Sequence, residues 1–356
     1  MRLQPRPRLV DWSILLTVTA AVGSGIVSLT AGRPGDWPIF VAHGVAGMIL
    51  VVLLGWKFRR VASRVTDTDQ WTAATAVSVA TATMAIAALA TGLYWVFGGN
   101  FQVLLWNAMN IHILFGLLVV PLLLVHLRDR FRLPRTDDFE GRRTAIQYSL
   151  LLGGGVLAWR LQQTIVSLLD TAGAARRFTG SKPQGGASPN DFPITSWVAD
   201  DPEPIDRSSW SLTVTGAVET PQSYAYSTLI EGTLDAREAT LDCTSGWYAT
   251  RDWRGIRVGR LLDAAGATAD ARWVSFRSVT GYRFSLPIEE ARGALLATHD
   301  GPEPLTHGHG APARLVAPGR RGFQWVKWVV AVEVRTTPDY GQWIAIFTSG
   351  FTGDDG

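Results

Sequence analysis

The sequence predicts a multi-domain protein in which an all-α transmembrane bundle of five helices precedes an α+β domain rich in strands. Long apolar runs dominate roughly the first 170 residues, whereas the remainder alternates apolar and polar residues between turn signals. Residues 171–189 are rich in Gly, Ala, Ser and Arg, a composition typical of a linker. The predicted regions are therefore a helical domain at 1–170, a linker at 171–189 and a second domain at 190–356.

Five stretches are long and apolar enough to cross a bilayer, which takes about 20 residues per helix. They are Trp12–Ala31, Pro38–Trp56, Trp71–Phe97, Leu104–Leu127 and Ala145–Leu169. Thirteen lysines and arginines lie in the N-terminal tail and the second and fourth connections, against one in the first and third. Because cytoplasmic loops retain positive charge, we expect a cytoplasmic N-terminus and an extracytoplasmic second domain at the cell membrane.

Three histidines lie in these spans, and an ionisable residue inside a membrane helix indicates function by default. His43 and His112 both lie roughly 7–12 Å below the outer boundary at about 1.5 Å per residue. Two level imidazoles on neighbouring helices can bind one haem iron. The bundle resembles the cytochrome b-type membrane subunits of respiratory oxidoreductases, which implies haem b. Hydrogen bonding between helices is the alternative, and His126 is expected to lie at the cytoplasmic interface.

Arg142 and Arg143 directly precede the fifth span and are similar to a twin-arginine export signal placed inside the chain. Such signals move domains that have already folded around a cofactor, so the pair indicates the twin-arginine translocation machinery as a partner. The alternative is that both arginines only keep this connection in the cytoplasm.

The second domain alternates short strand patterns with turns, as at Trp210–Thr215, Ala239–Cys243, Trp273–Phe276 and Ala313–Val316. Helical patterns lie at Val258–Ala265 and Ile288–Leu296. The net charge of +3, without a basic run carrying aromatics, argues against nucleic-acid binding. A single cysteine, Cys243, excludes an intrachain disulfide and a cysteine-based zinc or iron–sulfur site.

Two long motifs stand out in this domain. The first is Ala-Thr-Leu-Asp-Cys-Thr-Ser-Gly-Trp at 239–247. The second is Thr-His-Gly-His-Gly-Ala-Pro-Ala-Arg-Leu-Val-Ala-Pro at 306–318, continuing into Gly-Phe-Gln-Trp-Val-Lys-Trp at 322–328. Together they resemble the molybdopterin domain of the sulfite oxidase family, including the periplasmic methionine-sulfoxide reductases. The resemblance implies a sulfite-oxidase-type fold and a Mo-molybdopterin cofactor.

Thiolates are soft ligands for redox metals, and the resemblance implies that Cys243 ligates molybdenum; a buried structural cysteine is the alternative. Arg314 and Lys327 supply positive charge suited to the pterin phosphate. The full set of cofactor-binding residues that the resemblance implies is Asn190, Cys243, Ser278, His309, Arg314, Trp325, Val326 and Lys327. His309 is expected to donate to the pterin, and Trp325 and Val326 to contact it mainly through their backbone.

Sulfite oxidases follow the ligand cysteine with a basic run, but here Thr-Ser-Gly-Trp follows, which argues against sulfite as the substrate. The next arginine, Arg251, is the candidate catalytic residue. Other arginines that could line the pocket are Arg254, Arg283, Arg320 and Arg321. His299 and His307 are expected at the surface. The chain ends soon after the second motif, without the immunoglobulin-like dimerisation domain of sulfite oxidases, so we expect a monomer.

The sequence thus predicts a membrane-bound molybdenum-cofactor oxidoreductase that acts on a small S-oxide, N-oxide or oxyanion substrate. The metal carries the reaction, and haem b exchanges electrons with a membrane quinone or another carrier. Two alternatives stay open from sequence alone. One is a haem-free, membrane-anchored enzyme served by a separate redox protein. The other is a non-catalytic membrane receptor that keeps only the molybdopterin fold.

Overall fold

The computed structural model describes residues 6–104, 106–135, 139–196, 200–231 and 234–349. The chain divides into two compact units, Met1–Lys182 and Pro183–Gly356. The division lies inside the segment that the sequence predicts to be a linker.

The first unit is helical. Its long helices are α1 Pro7–Ser28, α2 Trp37–Thr66, α3 Ala73–Phe97, α4 Ala108–Arg130 and α5 Arg142–Leu168. Short 3-10 turns precede α2 and α3 at Pro34–Asp36 and Thr68–Gln70, and a small hairpin of β1 Gln102–Val103 and β2 Trp106–Asn107 precedes α4. The chain supplies local start signals: the side chains of Thr72 and Asn107 cap α3 and α4 by accepting from backbone N–H groups.

Within the described residues, α1 to α4 are long and apolar enough to cross a membrane. Four of the five predicted spans are thus confirmed as apolar helices of sufficient length. The fifth prediction coincides with α5, a helix of 27 residues. This helix carries Arg160, Gln162 and Gln163 in its C-terminal half and is not among the apolar spans. The five-span bundle therefore stays a prediction.

The helix α5 packs against α2 through two glycines. A Cβ on Gly155 would come within 2.5 Å of Ile49 Cγ1, and a Cβ on Gly44 within 2.7 Å of Trp159 Cδ1. Later residues of α2 thus face earlier residues of α5, so the two helices run antiparallel. Because only glycine permits these contacts, both positions fix how closely the helices approach.

The second unit contains two sheets. In the first, β7 pairs with β6 and β10, and β10 also pairs with β11 and β12, all antiparallel. These strands are β6 Asp235–Asp242, β7 Trp247–Arg257, β10 Leu295–Asp300, β11 Glu303–Pro304 and β12 Arg314–Val316. A further short strand, β3 Lys182–Pro183, lies at the division between the units.

The second sheet has the order β5-β4-β13-β8-β9 and is antiparallel except for the parallel pair β4 and β13. Its strands are β4 Ser211–Gly216, β5 Gln222–Ala225, β8 Trp273–Ser278, β9 Arg283–Pro287 and β13 Val329–Arg335. The helices of this unit are α6 Tyr226–Ile230, α7 Val258–Ala265, α8 Ile288–Gly293 and α9 Gln342–Thr348.

One continuous apolar core supports both sheets, with Trp253, Phe276 and Leu212 completely buried at its centre. Burial of such side chains is the main stabilising contribution to a domain of this kind. The predicted strands and the helix at 258–265 are confirmed. The predicted helix Ile288–Leu296 is shorter in the structure because Leu295 begins β10.

Candidate functional site

Cys243 lies in the tight connection between β6 and β7. Its N–H donates to the carbonyl of Trp247 at 2.8 Å, and the N–H of Gly246 donates back to the Cys243 carbonyl at 3.0 Å. Gly246 has φ +94°, which favours glycine. The cysteine is 7% exposed, and its Sγ lies 3.0 Å from Ser245 Oγ. The turn therefore holds one thiol in a fixed, nearly buried position.

The second motif contacts this turn directly. A buried ion pair joins Arg321 Nη1 to Asp242 Oδ1 at 2.7 Å, and Arg321 Nη2 donates to the Cys243 carbonyl at 3.1 Å. A Cβ on Gly322 would stand only 3.0 Å from Cys243 Cα. Arg321 was a candidate to line a pocket, but its guanidinium instead joins the two motifs. The structure thus brings together two segments that lie nearly 80 residues apart in the chain.

Two cations, the buried Arg314 and the half-buried Lys327, lie near the thiol. Arg314 is 5% exposed, and neither it nor Lys327 forms an ion pair within the described residues. Arg314 Nη1 donates to the His309 carbonyl, and its Nε is buried with no hydrogen-bond partner there. Lys327 Nζ donates to Ser196 Oγ at 2.6 Å and to the Gly308 carbonyl at 2.9 Å. The site therefore holds two cations, and the nearby carboxylates act on Lys327 electrostatically without forming an ion pair in the described residues.

The environment of these cations changes their ionisation. Burial lowers the pKa of Arg314 to about 10, with Cys243 acting in the opposite direction. Burial and the neighbouring Arg314 lower the pKa of Lys327 to about 7, again opposed by Cys243 among other acids. A backbone turn at Gly310, with φ +107°, brings the two stems together, since a Cβ there would lie 3.1 Å from Lys327 Cβ and 3.2 Å from Arg314 Cβ. An anionic ligand would relieve the penalty on both cations.

Three further cofactor-binding predictions lie beside this cluster. Ser278, at the end of β8, is 2% exposed and pairs in register with Val329, two residues after Lys327. Trp325 is buried, and its indole N–H donates to the Arg320 carbonyl. The Val326 carbonyl accepts from Leu315, the residue after Arg314. These neighbours bring Ser278 and Val326 together with Arg314 and Lys327, and the cofactor contacts of these residues stay predictions.

His309 is buried, but both of its ring nitrogens have protein partners. Nδ1 lies 2.7 Å from Thr306 Oγ1, and Nε2 lies 2.8 Å from the Phe192 carbonyl. Burial lowers the pKa of this imidazole, which favours its neutral form. The geometry favours a role in joining the second motif to the segment around Phe192, rather than the predicted donation to the pterin.

Asn190 has a similar role. It adopts φ +58°, its side-chain amide donates to the Pro304 carbonyl, and its oxygen accepts from the Thr306 N–H. Its backbone N–H donates to Asp300 at 2.6 Å. Asn190, a predicted cofactor contact, thus has a structural role in the folded chain. Its side chain fixes the loop that leads to His309.

Arg251 does not have the geometry of the predicted catalytic residue. It is 8% exposed, and its guanidinium donates to both oxygens of Asp300, with Nη2 2.7 Å from Oδ2. It also donates to the carbonyls of Gly186 and Ser188. All of its donor nitrogens are therefore in use, and the structure favours an anchoring role over a substrate contact.

The other candidate arginines have acidic partners too. Arg254 pairs with Asp252, Arg283 with Asp339 and Arg320 with Glu290. Of the remaining histidines, His307 donates from Nε2 to the Pro202 carbonyl, and its ring lies 5.5 Å from that of Trp328. It is half-buried rather than at the surface, as is His299. None of these residues carries charge that points to a ligand.

Sequence reasoning missed Asp200, a carboxylate that is 8% exposed and lies among the same residues. The side chain of Thr280 forms a hydrogen bond with it, and Lys327 interacts with it electrostatically. Burial raises the pKa of this carboxyl, although Thr280 and Lys327 act in the opposite direction. Asp200 stands outside both motifs, so no sequence pattern indicates its role.

In the helical unit, His43 and His112 lie face to edge, with ring centroids 6.0 Å apart and ring planes at 89°. Each Nδ1 lies 2.9 Å from a backbone carbonyl, that of Ala21 for His43 and of Ala88 for His112. These contacts leave Nε2 of each ring without a hydrogen-bond partner among the described residues. A metal with bonds of about 2 Å to both Nε2 atoms would place the centroids about 6 Å apart. The separation of the two rings is therefore compatible with one metal ion that both would hold.

The two histidines have matching surroundings that the sequence reading overlooked. Ser24 Oγ lies 3.3 Å from Nδ1 of His43, and Thr91 Oγ1 lies 3.5 Å from Nδ1 of His112. Gly25 and Gly92, which follow these hydroxyl residues, have Cβ positions within 3.3 Å of the respective rings. The pattern Ala-x-x-Ser/Thr-Gly thus occurs at residues 21–25 and again at 88–92. The α1–α2 and α3–α4 hairpins therefore present their histidines in the same manner.

His126 lies apart from this pair, with Nδ1 3.0 Å from Ser78 Oγ. Nearby on α1 and α2, Asp11 pairs with both Lys57 and Arg60 at 2.5 Å. Groups of three or more histidine, cysteine, aspartate or glutamate residues suited to hold a metal are absent from the part of the chain that the structure describes. The cytoplasmic interface position of His126 stays a prediction.

Comparison with known proteins bears on the second unit. Residues 199–343 match the family described as "Oxidoreductase molybdopterin binding domain". The catalytic subunit of protein-methionine-sulfoxide reductase, MsrP, from Xanthomonas campestris is 32% identical over 147 residues, which cover 36% of this chain and 46% of that protein. The chain thus spans less than half the length of this relative.

Two other relatives are covered more completely. The uncharacterized oxidoreductase YuiH of Bacillus subtilis is 27% identical over 170 residues, covering 46% of this chain and 86% of that protein. YedZ1 of Azospira oryzae, provisionally named as a protein-methionine-sulfoxide reductase subunit, is 25% identical and covers 61% of this chain and 90% of its own. That share of the chain is longer than either unit, so the similarity includes part of the helical unit.

Proposed function

We propose that the chain is a membrane-bound molybdenum enzyme that reduces a small S- or N-oxide. The support is its C-terminal unit, which is a molybdopterin-binding oxidoreductase domain. In that direction each turnover takes up two electrons and two protons and releases the oxygen as water. The names of the MsrP and YedZ1 relatives support a sulfoxide as the substrate class. The absence of a basic run after Cys243 supports a substrate without full negative charge.

The observation that carries this proposal is the cluster of one nearly buried thiol, the buried Arg314 and the half-buried Lys327, neither of which forms an ion pair within the described residues. Cys243 would hold the metal through its thiolate, a ligand type suited to molybdenum. The guanidinium of Arg314, with its free Nε, and the ammonium of Lys327 would bind the pterin phosphate. When bound, this cofactor supplies the oxygen-atom transfer and the change of oxidation state.

The other residues of the site position these groups. Arg321 and Gly322 hold the second motif against the cysteine turn, and Gly310 brings the two cations together. The ion pair of Arg251 with Asp300 fixes the segment at 186–188 beside the same sheet. Because this framework is ordered before the cofactor binds, little binding free energy is lost in ordering the site.

We further propose that His43 and His112 bind haem b and that this haem exchanges electrons with a membrane quinone. The support is the fit of two imidazoles at 6.0 Å, each with Nδ1 held by a backbone carbonyl so that Nε2 is free to ligate. In the haem-free alternative, the two rings would only link neighbouring helices through hydrogen bonds. That alternative does not account for the two Nε2 atoms, which have no hydrogen-bond partner among the described residues.

We propose that α5 is a fifth span and that the second unit lies outside the cytoplasm. The support is the antiparallel packing of α5 on α2, which carries the chain to the end of the bundle opposite the N-terminus of α1. Tyr148, near the start of α5, lies 3.4 Å from Ser13 of α1, and Trp159 lies beside Gly44. Export through the Arg142-Arg143 pair by the twin-arginine route is consistent with a domain that folds around its cofactor in the cytoplasm.

The test compares purified wild type with Cys243→Ser, made in a host that synthesises molybdopterin. We expect the wild type to contain about one molybdenum per chain and to reduce a sulfoxide with an artificial electron donor. Cys243→Ser should lose the metal while its haem spectrum persists. A metal-free wild type with a buried, alkylation-resistant thiol would contradict the proposal and favour a receptor that keeps only the fold.

The haem assignment has its own test. His43→Ala and His112→Ala should each abolish a reducible b-type spectrum, because one remaining imidazole holds haem weakly. His126→Ala is the matched control, since it removes a membrane histidine that lies apart from the pair. An unchanged spectrum in either of the first two variants would show that the pair only links helices.

A further inference from the structure

Asp200 is a buried carboxylate whose environment within the second unit leaves it unsatisfied. It is 8% exposed, and its Oδ1 is buried without a hydrogen-bond partner. Within the described ranges it also lies in no ion pair, since Lys327 Nζ is directed to Ser196 and Gly308 instead. A buried polar atom in this state destabilises the folded chain unless a ligand satisfies it.

Its neighbours place Asp200 beside the candidate cofactor site. Thr280, which hydrogen-bonds to Asp200, has its hydroxyl 3.1 Å from the Ser278 hydroxyl. Lys327 interacts electrostatically with both Asp200 and Cys243. Asp200 therefore lies between the β8–β9 turn and the cations that we assign to the pterin phosphate.

The chemistry of a carboxylate narrows the ligand group that it can accept. Arg314 and Lys327 suit an anion, whereas the unsatisfied Oδ1 requires a donor. The pterin ring system has such an edge, because its amino group and the adjacent ring N–H point the same way. A carboxylate can accept both hydrogens through its two oxygens.

We propose that Asp200 binds the N–H edge of the pterin and thereby orients its ring, while Arg314 and Lys327 bind its phosphate. This inference rests on the proposed function of the same site. It assigns to the chain a cofactor-binding residue that lies outside both sequence motifs. Asp200 acts as a positioning residue, because it would touch the pterin and not the reacting atoms.

The experiment uses the full chain from a pterin-competent host, with Asp200→Ala, Asp200→Asn and the control Asp201→Asn. Asp201 is an adjacent, exposed carboxylate, so its variant removes the same charge outside the buried site. The readout is the pterin retained per chain during warm incubation, measured by the fluorescence of its oxidised form. We expect release about ten- to a hundredfold faster in Asp200→Ala. Asp200→Asn, which keeps one acceptor oxygen, should fall between, and Asp201→Asn should match wild type.

A second readout separates cofactor binding from folding. In chains made without molybdopterin, Asp200→Asn should be at least as stable to heat as wild type, because it removes an unpaired buried charge. Wild-type release kinetics in Asp200→Ala would overturn the inference, as would a loss of stability in the cofactor-free variants. A shifted pH profile of turnover with normal pterin retention would also overturn it and would identify a proton donor instead. If wild type itself contains no pterin, it is the proposed function that fails.

Discussion

Replacing Arg314 by Met should stabilise the cofactor-free protein while weakening its hold on the cofactor. Burial lowers the pKa of Arg314 to about 10 from 12.5, so keeping the guanidinium charged costs about 3 kcal/mol. Against this, the variant loses the hydrogen bond to the His309 carbonyl, worth about 1 kcal/mol. It also loses the interaction over the Trp253 ring at 5.6 Å, worth roughly 1 kcal/mol.

The balance is a gain of about 1 kcal/mol in the free energy of unfolding, or roughly 2–4 °C in the melting temperature of a domain of this size. With cofactor bound, the same change removes charge-assisted hydrogen bonds to the phosphate, so release should be faster by a factor of about ten or more. The effects on the two forms therefore have opposite signs.

The assay is thermal unfolding of the full chain, followed by near-ultraviolet circular dichroism, with and without molybdopterin synthesis in the host. Arg335→Met is the matched control, because Arg335 forms a partly exposed pair with Glu333 on β13. Such surface pairs contribute about 0–1 kcal/mol, so this control should change neither form appreciably. A cofactor-free Arg314→Met that melts well below wild type, with normal cofactor retention, would refute the reasoning and make Arg314 a structural residue.

Three further predictions concern the same unit. Burial lowers the pKa of Lys327 to about 7, so above pH 7 the folded cofactor-free chain binds fewer protons than the unfolded chain. The melting temperature of the cofactor-free wild type should therefore rise between pH 7 and pH 9 by more than that of Lys327→Met. An equal rise in the two proteins would contradict this prediction. Gly322→Ala, whose Cβ would meet Cys243 Cα at 3.0 Å, should lower molybdenum content severalfold by elemental analysis, and full loading would exclude the close packing. Asp300→Asn should cost about 3–5 kcal/mol of stability by leaving Arg251 buried and unpaired. A stable Asp300→Asn with an altered KM would restore Arg251 as a substrate contact.

Local sequence information was enough to predict the strands and helices, and the two motifs identified the thiol and the cations. Hydropathy reports which segments prefer an apolar environment, so four spans and the strand pattern follow from it. The roles of individual polar side chains did not follow. Arg251 looked free in sequence because its partner Asp300 lies 49 residues away, on another strand of the same sheet.

Long-range packing also explains why the sequence does not reveal the hydrogen-bond partners of His309 or the burial of Asp200. The ring of His309 is used by the Phe192 carbonyl, 117 residues earlier in the chain, so a family position did not reveal its partner. Asp200 has no motif around it, and only its burial and its unsatisfied oxygen indicate a ligand. Satisfaction of buried polar atoms is a property of the folded chain, which composition and spacing do not contain.

The mean hydropathy of α5 conceals how its polar and apolar side chains are distributed around the helix. Its polar residue Gln162 is 6% exposed and faces the bundle, whereas many of its exposed side chains, Arg160 apart, are apolar. Leu150, Leu157, Leu161 and Leu168 are between 56% and 78% exposed and recur at helical spacing along one side. A helix at the surface of a water-soluble protein has the opposite arrangement, with its apolar face buried. We expect such a placement of leucines in a helix whose outer side contacts lipid, and it is consistent with the proposed fifth span although the mean hydropathy of the helix is modest.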